Sequence, residues 1–320
     1  MTVRICFGLL LSFFWAGEVL AEDAVSWLDR MSHSFRELTY RGTLSYQRGD
    51  DIQSLRIAHT VIGGEEFERL DYLDGDQREV VRRDHSLTCI HPGHKLVRFF
   101  APAAADIAAD QSPTKVSASY NIAVEGHGRL AGRDVVNLTI SPRDAFRYGY
   151  RLALDQASGL MVRSELLTHT GDVLERFQFV EVEIGGDIPQ AYFDHADHAF
   201  YPHHGKQELP ESSNEPEQGT LDWSVSWKPQ GFILAQDGIG HTRRQMLTYT
   251  DGMTVFSVFL DEVSDQGSKA TEGSSTRGAT SAYFRILQLA GRPHRVTVVG
   301  EIPVSTAQQI ARSVTLVAAR

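Results

Sequence analysis

Thirteen histidines in a chain of 320 residues raise metal ligation and general acid–base catalysis first. His91 and His94 lie in an HPGH tetrapeptide, and His195, His198, His203 and His204 crowd one short stretch. A dedicated metal site needs ligands of fixed geometry, held by hydrogen bonds behind them. The second group runs into Pro210-Glu211-Ser212-Ser213-Asn214-Glu215-Pro216-Glu217, which lends no rigidity, so a solvated loop accounts for it better than a site. Nucleophile chemistry has no clear foothold either. The chain has no GxSxG elbow, no HExxH helix and no GxxxxGK[ST] phosphate loop. Carboxylates are plentiful, but no pair stands out as an acid/base couple. The expectation is a protein with no catalytic residues, no metal and no cofactor, whose output is binding.

The elements that would position a binding surface follow from the ends inward. Arg4 precedes an apolar run, Ile5 to Ala16, and Val19-Leu20-Ala21 then supplies the small-residue pattern of a signal-peptidase site. Residues 1–21 therefore read as a secretory signal peptide, cleaved after Ala21, and export to the periplasm is expected. No later stretch is long and apolar enough to cross a bilayer as a helix, so a soluble mature chain is expected. Cys6 falls inside the leader. Cys89 is left without a partner for an internal disulfide, and it reads as a buried small hydrophobe or a reactive thiol. Stability must then come from a packed core. A net charge of −10 argues against broad nucleic-acid binding, because phosphate contacts need clustered Lys and Arg.

Trp27, Leu28, Met31, Phe35 and Leu38 recur at helical spacing and predict an amphipathic helix from Asp23 to Leu38. The period then falls to two. Tyr40, Gly42, Leu44 and Tyr46 share one face of a strand. Leu55, Ile57, His59 and Val61 make a second stripe, and Val136, Leu138 and Ile140 a third. Tyr148, Tyr150, Leu152 and Leu154 begin a meander that turns at Asp155–Gly159 and at Thr170-Gly171-Asp172. Ala101 to Pro113 is expected to form a short helix or loop. The first domain is set at 22–197 and a linker at 198–220. A second domain covers 221–320, with a hairpin at Asp251-Gly252, a mobile loop over Glu262–Ala282 and strands at Phe284–Leu289 and Val296–Val299. Its last helix carries Ala307, Ile310, Ala311 and Val314 on one face, with Ser305 and Gln308 offering a capping box.

Several blocks resemble the RseB/MucB family. In the first half they are SWLDRM (Ser26–Met31), YRGTLSYQRG (Tyr40–Gly49), QREVVRRD (Gln77–Asp84), SPRDAFRYGYRLALDQASGL (Ser141–Leu160) and LERFQF (Leu174–Phe179). In the second half they are WKPQGF (Trp227–Phe232), LTYTDGMTVFSVFL (Leu247–Leu260) and VTVVGEIP (Val296–Pro303). The resemblance implies an α+β fold, mostly antiparallel β: a LolA-like unclosed β-barrel with helices, then a smaller β-rich domain with a packed C-terminal helix. It also implies a periplasmic regulator that binds the periplasmic domain of an RseA/MucA-type anti-sigma factor and shields it from the first regulatory cleavage. Release by lipopolysaccharide or another lipid, and self-association into a homo-oligomer, are implied with it. A lipid or lipoprotein carrier of the LolA class is the alternative.

Candidate residues divide the same way. Phe99, Phe100, Tyr148 and Tyr150 read as lining a lipid cavity or as plain core. Arg82 and Arg83 read as meeting an acidic lipid group or as a solvated strand face. Trp223, Trp227 and Phe232 read as anchors for a partner peptide or as the interior of the second domain.

Overall fold

The computed structural model describes residues 24–76, 78–83, 116, 118–194, 222–239, 245–263 and 271–317. The expected leader, the HPGH tetrapeptide, Cys89, the Ala101–Pro113 segment and the histidine-rich stretch from His195 to Thr220 lie outside these residues.

The N-terminal helical pattern is realised as α1 (Ala24–Glu37), which buries Trp27, Leu28 and Phe35. Phe35 lies seven residues from Leu28 and eight from Trp27, about two turns on, so the three fall on one helical face. That face covers a nine-stranded antiparallel sheet built from β1 (Tyr40–Arg48), β2 (Asp51–Ile62), β3 (Glu65–Tyr72), β4 (Arg78–Arg83), β5 (Tyr120–Leu130), β6 (Arg133–Pro142), β7 (Gly149–Asp155), β8 (Met161–Leu167) and β9 (Val173–Ile184). The strand order is β4-β3-β2-β1-β9-β8-β7-β6-β5. No ladder joins β4 to β5 among the described residues, so the sheet is unclosed, as the expected architecture requires. Pairing of β1 with β9 closes the longest loop, and a register shift between Thr43 and Leu44 bends the pair.

The inward stripes are the ones that alternation predicts. Tyr40, Leu44, Leu55, Ile57, Val136, Leu138, Ile140, Leu152 and Leu154 are all within 2% of complete burial. Each such aliphatic side chain contributes roughly 1.5–3 kcal/mol by leaving water. His59 joins them, stacked on Tyr40 at 4.9 Å, its Nδ1 2.7 Å from the Leu38 carbonyl. The β2 stripe ends one residue pair early. Val61 is exposed, whereas Ala58 on the opposite face is buried, because Ala58, Phe67, Ile188 and Phe193 form a small cluster outside the sheet.

The second unit is a six-stranded antiparallel sheet. Its strands are β11 (Ile233–Ile239), β12 (Gln245–Thr250), β13 (Val255–Glu262), β14 (Glu272–Arg277), β15 (Thr280–Leu289) and β16 (Arg292–Gly300), in the order β11-β12-β13-β16-β15-β14. Helix α2 (Val304–Arg312) packs on β15 and β16 through Ala307, Ile310 and Ala311. A two-stranded ladder joins β10 (Trp223–Val225) to β17 (Val314–Leu316).

Two local expectations are corrected here and a third is borne out. Much of the segment expected as a mobile loop, Glu262–Ala282, forms β14 and the start of β15, paired from Glu272↔Arg285 to Arg277↔Thr280. This edge strand is exposed along nearly its whole length, so nothing selects an apolar alternation that a sequence reading could detect. The Ser305–Gln308 capping box does not form. The N-cap is Pro303, without a side-chain cap, and its carbonyl accepts from Thr306 N and Ala307 N at 2.9 and 3.1 Å. Ser305 therefore sits inside the first turn. The Asp251-Gly252 hairpin exists, with a four-residue loop from Asp251 to Thr254 between Thr250 and Val255.

Candidate functional site

The polar groups that the fold gathers most tightly lie where the two units meet. From the first unit come Ser119 and Tyr120 at the start of β5, the β6–β7 loop with Asp144 and Arg147, and Tyr46 and Glu175 on adjacent strands. From the second come the Pro229–Phe232 turn, the Asp251–Thr254 loop and the Gly278-Ala279 turn between β14 and β15.

Arg147 is completely buried. Its guanidinium donates from Nη1 to Asp251 Oδ2 at 2.5 Å, from Nη2 to Asp144 Oδ2 at 2.9 Å and to the Gln230 carbonyl at 2.6 Å, and from Nε to Asp144 Oδ1 at 3.2 Å. Its flat faces meet aromatic rings, Phe232 at 5.0 Å and Tyr120 at 5.5 Å. Burial by itself would push the Arg147 pKa down, but the charge of Asp251, then that of Tyr120 and the contacts to Asp144, outweigh it and raise it. The cation is therefore fixed. A rigid guanidinium fork suits this place, since it can serve two carboxylates and a carbonyl at once.

Asp251 is saturated from both sides. Oδ1 accepts from Met253 N at 3.0 Å and Thr254 N at 2.9 Å, which closes its own loop. Oδ2 accepts from Arg147 and from the Tyr120 hydroxyl at 2.9 Å. Burial and then the Asp251 charge hold the Tyr120 pKa well above the ordinary tyrosine value, so the phenol stays a donor. A second joint repeats the pattern. Glu175, buried, accepts from the Tyr46 hydroxyl at 2.7 Å and from Ala279 N at 2.8 Å. Around these polar points the contact is apolar: Ala279 belongs to the first unit's core and Met253 packs against it.

Several residues singled out from sequence converge on this junction. Tyr150 is buried and donates to the Met253 carbonyl at 3.1 Å. Tyr148 is half-buried, and its pKa is raised by burial and then by the charge of Glu175. Trp227 packs edge-on against Phe146 at 5.2 Å, and Phe232 lies under Arg147. Trp223 sits in the second unit's core. Arg82 and Arg83 lie on β4, opposite Glu68 and Phe67. Phe99 and Phe100 fall outside the described residues. Sequence reasoning missed Arg147, Asp144, Tyr120, Asp251 as an ion-pair partner, and Glu175. The only signal was that Asp144, Arg147, Glu175 and Asp251 each lie inside a family-like block.

Both oxygens of Asp251 and both of Glu175 accept within the joint, while the Asp144 side chain is 27% exposed and the buried Arg48 Nε beside Glu175 has no hydrogen-bond partner. Among the described residues no group of three or more His, Cys, Asp or Glu could hold a metal, and no helix is long and apolar enough to cross a membrane. The sequence does carry one SxxK spacing, Ser112 to Lys115, which lies outside the described residues. A shallow hollow of about 330 Å³ opens on the outer face of β1, β2 and β9. Ion pairs such as Arg41–Glu183, at 2.7 Å and well exposed, cross it.

The comparisons with known proteins point one way. The family model described as the MucB/RseB N-terminal domain matches residues 23–196, and the MucB/RseB C-terminal domain model matches residues 217–315. Among characterised relatives, the sigma factor AlgU regulatory protein MucB of Pseudomonas aeruginosa is 33% identical over 300 residues, covering 92% of this chain and 91% of the relative. A crystal structure of MucB in complex with MucA(peri) is matched at a TM-score of 0.74 with 32% identity, over 93% of this chain and 100% of the other. A crystal structure of MucB alone is matched at a TM-score of 0.63 with 31% identity, over 91% of this chain and 97% of the other.

Proposed function

This chain belongs to the MucB/RseB family, and from that premise we propose that it is a regulatory binding protein of the bacterial periplasm with no catalytic activity of its own. Its partner is the periplasmic region of a membrane-anchored anti-sigma factor of the RseA/MucA type. Holding that segment denies it to the protease that makes the first regulatory cut, and the stress sigma factor then stays sequestered. Lipopolysaccharide or another lipid releases the complex, and copies of the chain associate with one another.

The observation that supports this reading best is that 93% of the chain, both units together, matches a MucB holding MucA(peri). Physically the reading asks for affinity and surface, not chemistry. A releasing lipid acts only through a difference in affinity between the free and the bound chain, and shifts the equilibrium by that difference.

Fluorescence anisotropy of a labelled anti-sigma periplasmic fragment tests the reading. Saturable binding by the purified chain is expected, reversed by adding lipopolysaccharide. A flat titration at micromolar chain would refute the partner assignment. Binding that lipopolysaccharide leaves untouched would refute the release step.

A further inference from the structure

We propose that Arg147, Asp251 and Glu175 are positioning residues for partner binding. They touch no partner themselves, but they seat the second unit on the first, and the seated arrangement is the one that binds. The proposal rests on the functional reading above, and four observations carry it.

Asp251 and Glu175 use both their oxygens within the joint. Pulling the units apart slightly strips Asp251 Oδ2 of Arg147 and Tyr120, and Arg147 of Asp251 and the Gln230 carbonyl, before water can replace them, while Asp144 keeps its bonds to Arg147 and Asp251 Oδ1 keeps its own loop. Intermediate positions are therefore disfavoured, and the joint has two states, seated and open. Two glycines of the second unit approach the first unit closely. A Cβ on Gly278 would overlap Arg48 and Glu175, and one on Gly231 would lie 2.5 Å from Ser119 Oγ; the nearest atoms at both places belong to the first unit. Both glycines have positive φ, +57° at Gly278 and +90° at Gly231, which L side chains seldom adopt. The apolar seal is supplied by the same loops, through Met253 and Ala279 against the first unit's core. Lastly, over the chain as a whole the match to MucB holding MucA(peri) has a TM-score of 0.74 and that to MucB alone 0.63.

Population arithmetic gives the size of the effect. If only the seated form binds, the apparent affinity falls in proportion to the seated fraction, so reducing that fraction to about a tenth weakens binding about tenfold.

Two variants open the joint by different means. Gly278→Ala inserts a wedge. Asp251→Asn keeps an acceptor for Met253 N and Thr254 N, and places an amide where a carboxylate oxygen faced Arg147. A third variant locks it: Ser119→Cys with Gly231→Cys, in a Cys89→Ser background, places the two Cβ atoms 3.8 Å apart, inside the disulfide range of about 3.5–4.5 Å. Each purified chain is measured by small-angle X-ray scattering and by anisotropy with the labelled anti-sigma periplasmic fragment.

The expected result is a larger radius of gyration and at least about tenfold weaker binding for Gly278→Ala and Asp251→Asn. The locked chain carries the strain of a cysteine at Gly231 in both redox forms, so its oxidised form supplies the reference radius and affinity for the disulfide-bearing Asp251→Asn chain. Adding the disulfide to Asp251→Asn restores affinity when oxidised and loses it again on reduction, which general destabilisation would not do. Variants that open but bind like wild type overturn the proposal, and so do variants that stay compact. If the wild-type chain itself fails to bind the fragment, the functional reading fails. The scattering measurement then decides the joint alone, and an unchanged radius in both variants overturns it.

Discussion

Asp155 ends β7 and shows how a single carboxylate can fix a turn. Its oxygens accept from Arg133 Nε at 2.6 Å, Ser158 N at 2.8 Å and Ser158 Oγ at 2.7 Å. Burial alone would raise its pKa, but these hydrogen bonds, Arg133 first, outweigh it and hold the carboxyl below the ordinary range. Because the folded value lies below the unfolded one of about 3.9, its contribution is complete above roughly pH 4 and is lost as pH falls through the folded value. Asp155→Asn is expected to cost about 1–3 kcal/mol at pH 7. The gap to wild type should narrow below pH 4, read by urea unfolding at pH 7 and pH 3. Tyr150→Phe, which loses the hydroxyl that donates to the Met253 carbonyl and meets the Thr254 side chain, should cost about 0.5–1.5 kcal/mol per hydrogen bond lost in the same assay. A larger loss would give that hydroxyl a role beyond these contacts. Residues of this kind are poorly legible in a sequence. Asp251 stood out as a turn former, but its partner Arg147 lies 104 residues away, and nothing local marks an arginine that will be fully buried.

Elements whose burial is one-sided were the easiest to foresee. The helix over residues 24–37, the stripes of β1 and β6, and the meander β7–β8–β9 all follow from a period of 3.6 or 2. The failures share a cause too. β14 carries Ser and Thr on both faces of an exposed edge, and β17 is defined by its pairing with the distant β10 instead of by a local pattern. Helix α2 was foreseen on the right face but with the wrong start, because Pro303 supplies the first carbonyls and makes a side-chain cap unnecessary. Ile310, completely buried beneath α2, anchors that helix to β15 and β16. Ile310→Ala should cost about 2–5 kcal/mol by cavity formation. Calorimetry is expected to show a lowered transition, and hydrogen exchange should accelerate in residues 280–316 ahead of the first unit. Uniform acceleration across both units would mean that they unfold as one.

At the scale of the whole molecule the account is of two antiparallel sheets joined at Arg147–Asp251 and Glu175–Ala279, with binding as the only output. The order of the family-like blocks made that class of protein legible from sequence, while the joint needed coordinates, since its members come from seven separated segments. Stoichiometry separates occupancy from chemistry. A catalyst acts at any ratio given time, whereas a shield protects only the copies it covers. The most direct measurement digests the anti-sigma periplasmic segment with its site-one protease while the purified chain is titrated in. Protection is predicted to rise linearly and to saturate at a fixed molar ratio, well above the dissociation constant. Cleavage that proceeds at the unprotected rate at every ratio would contradict the account.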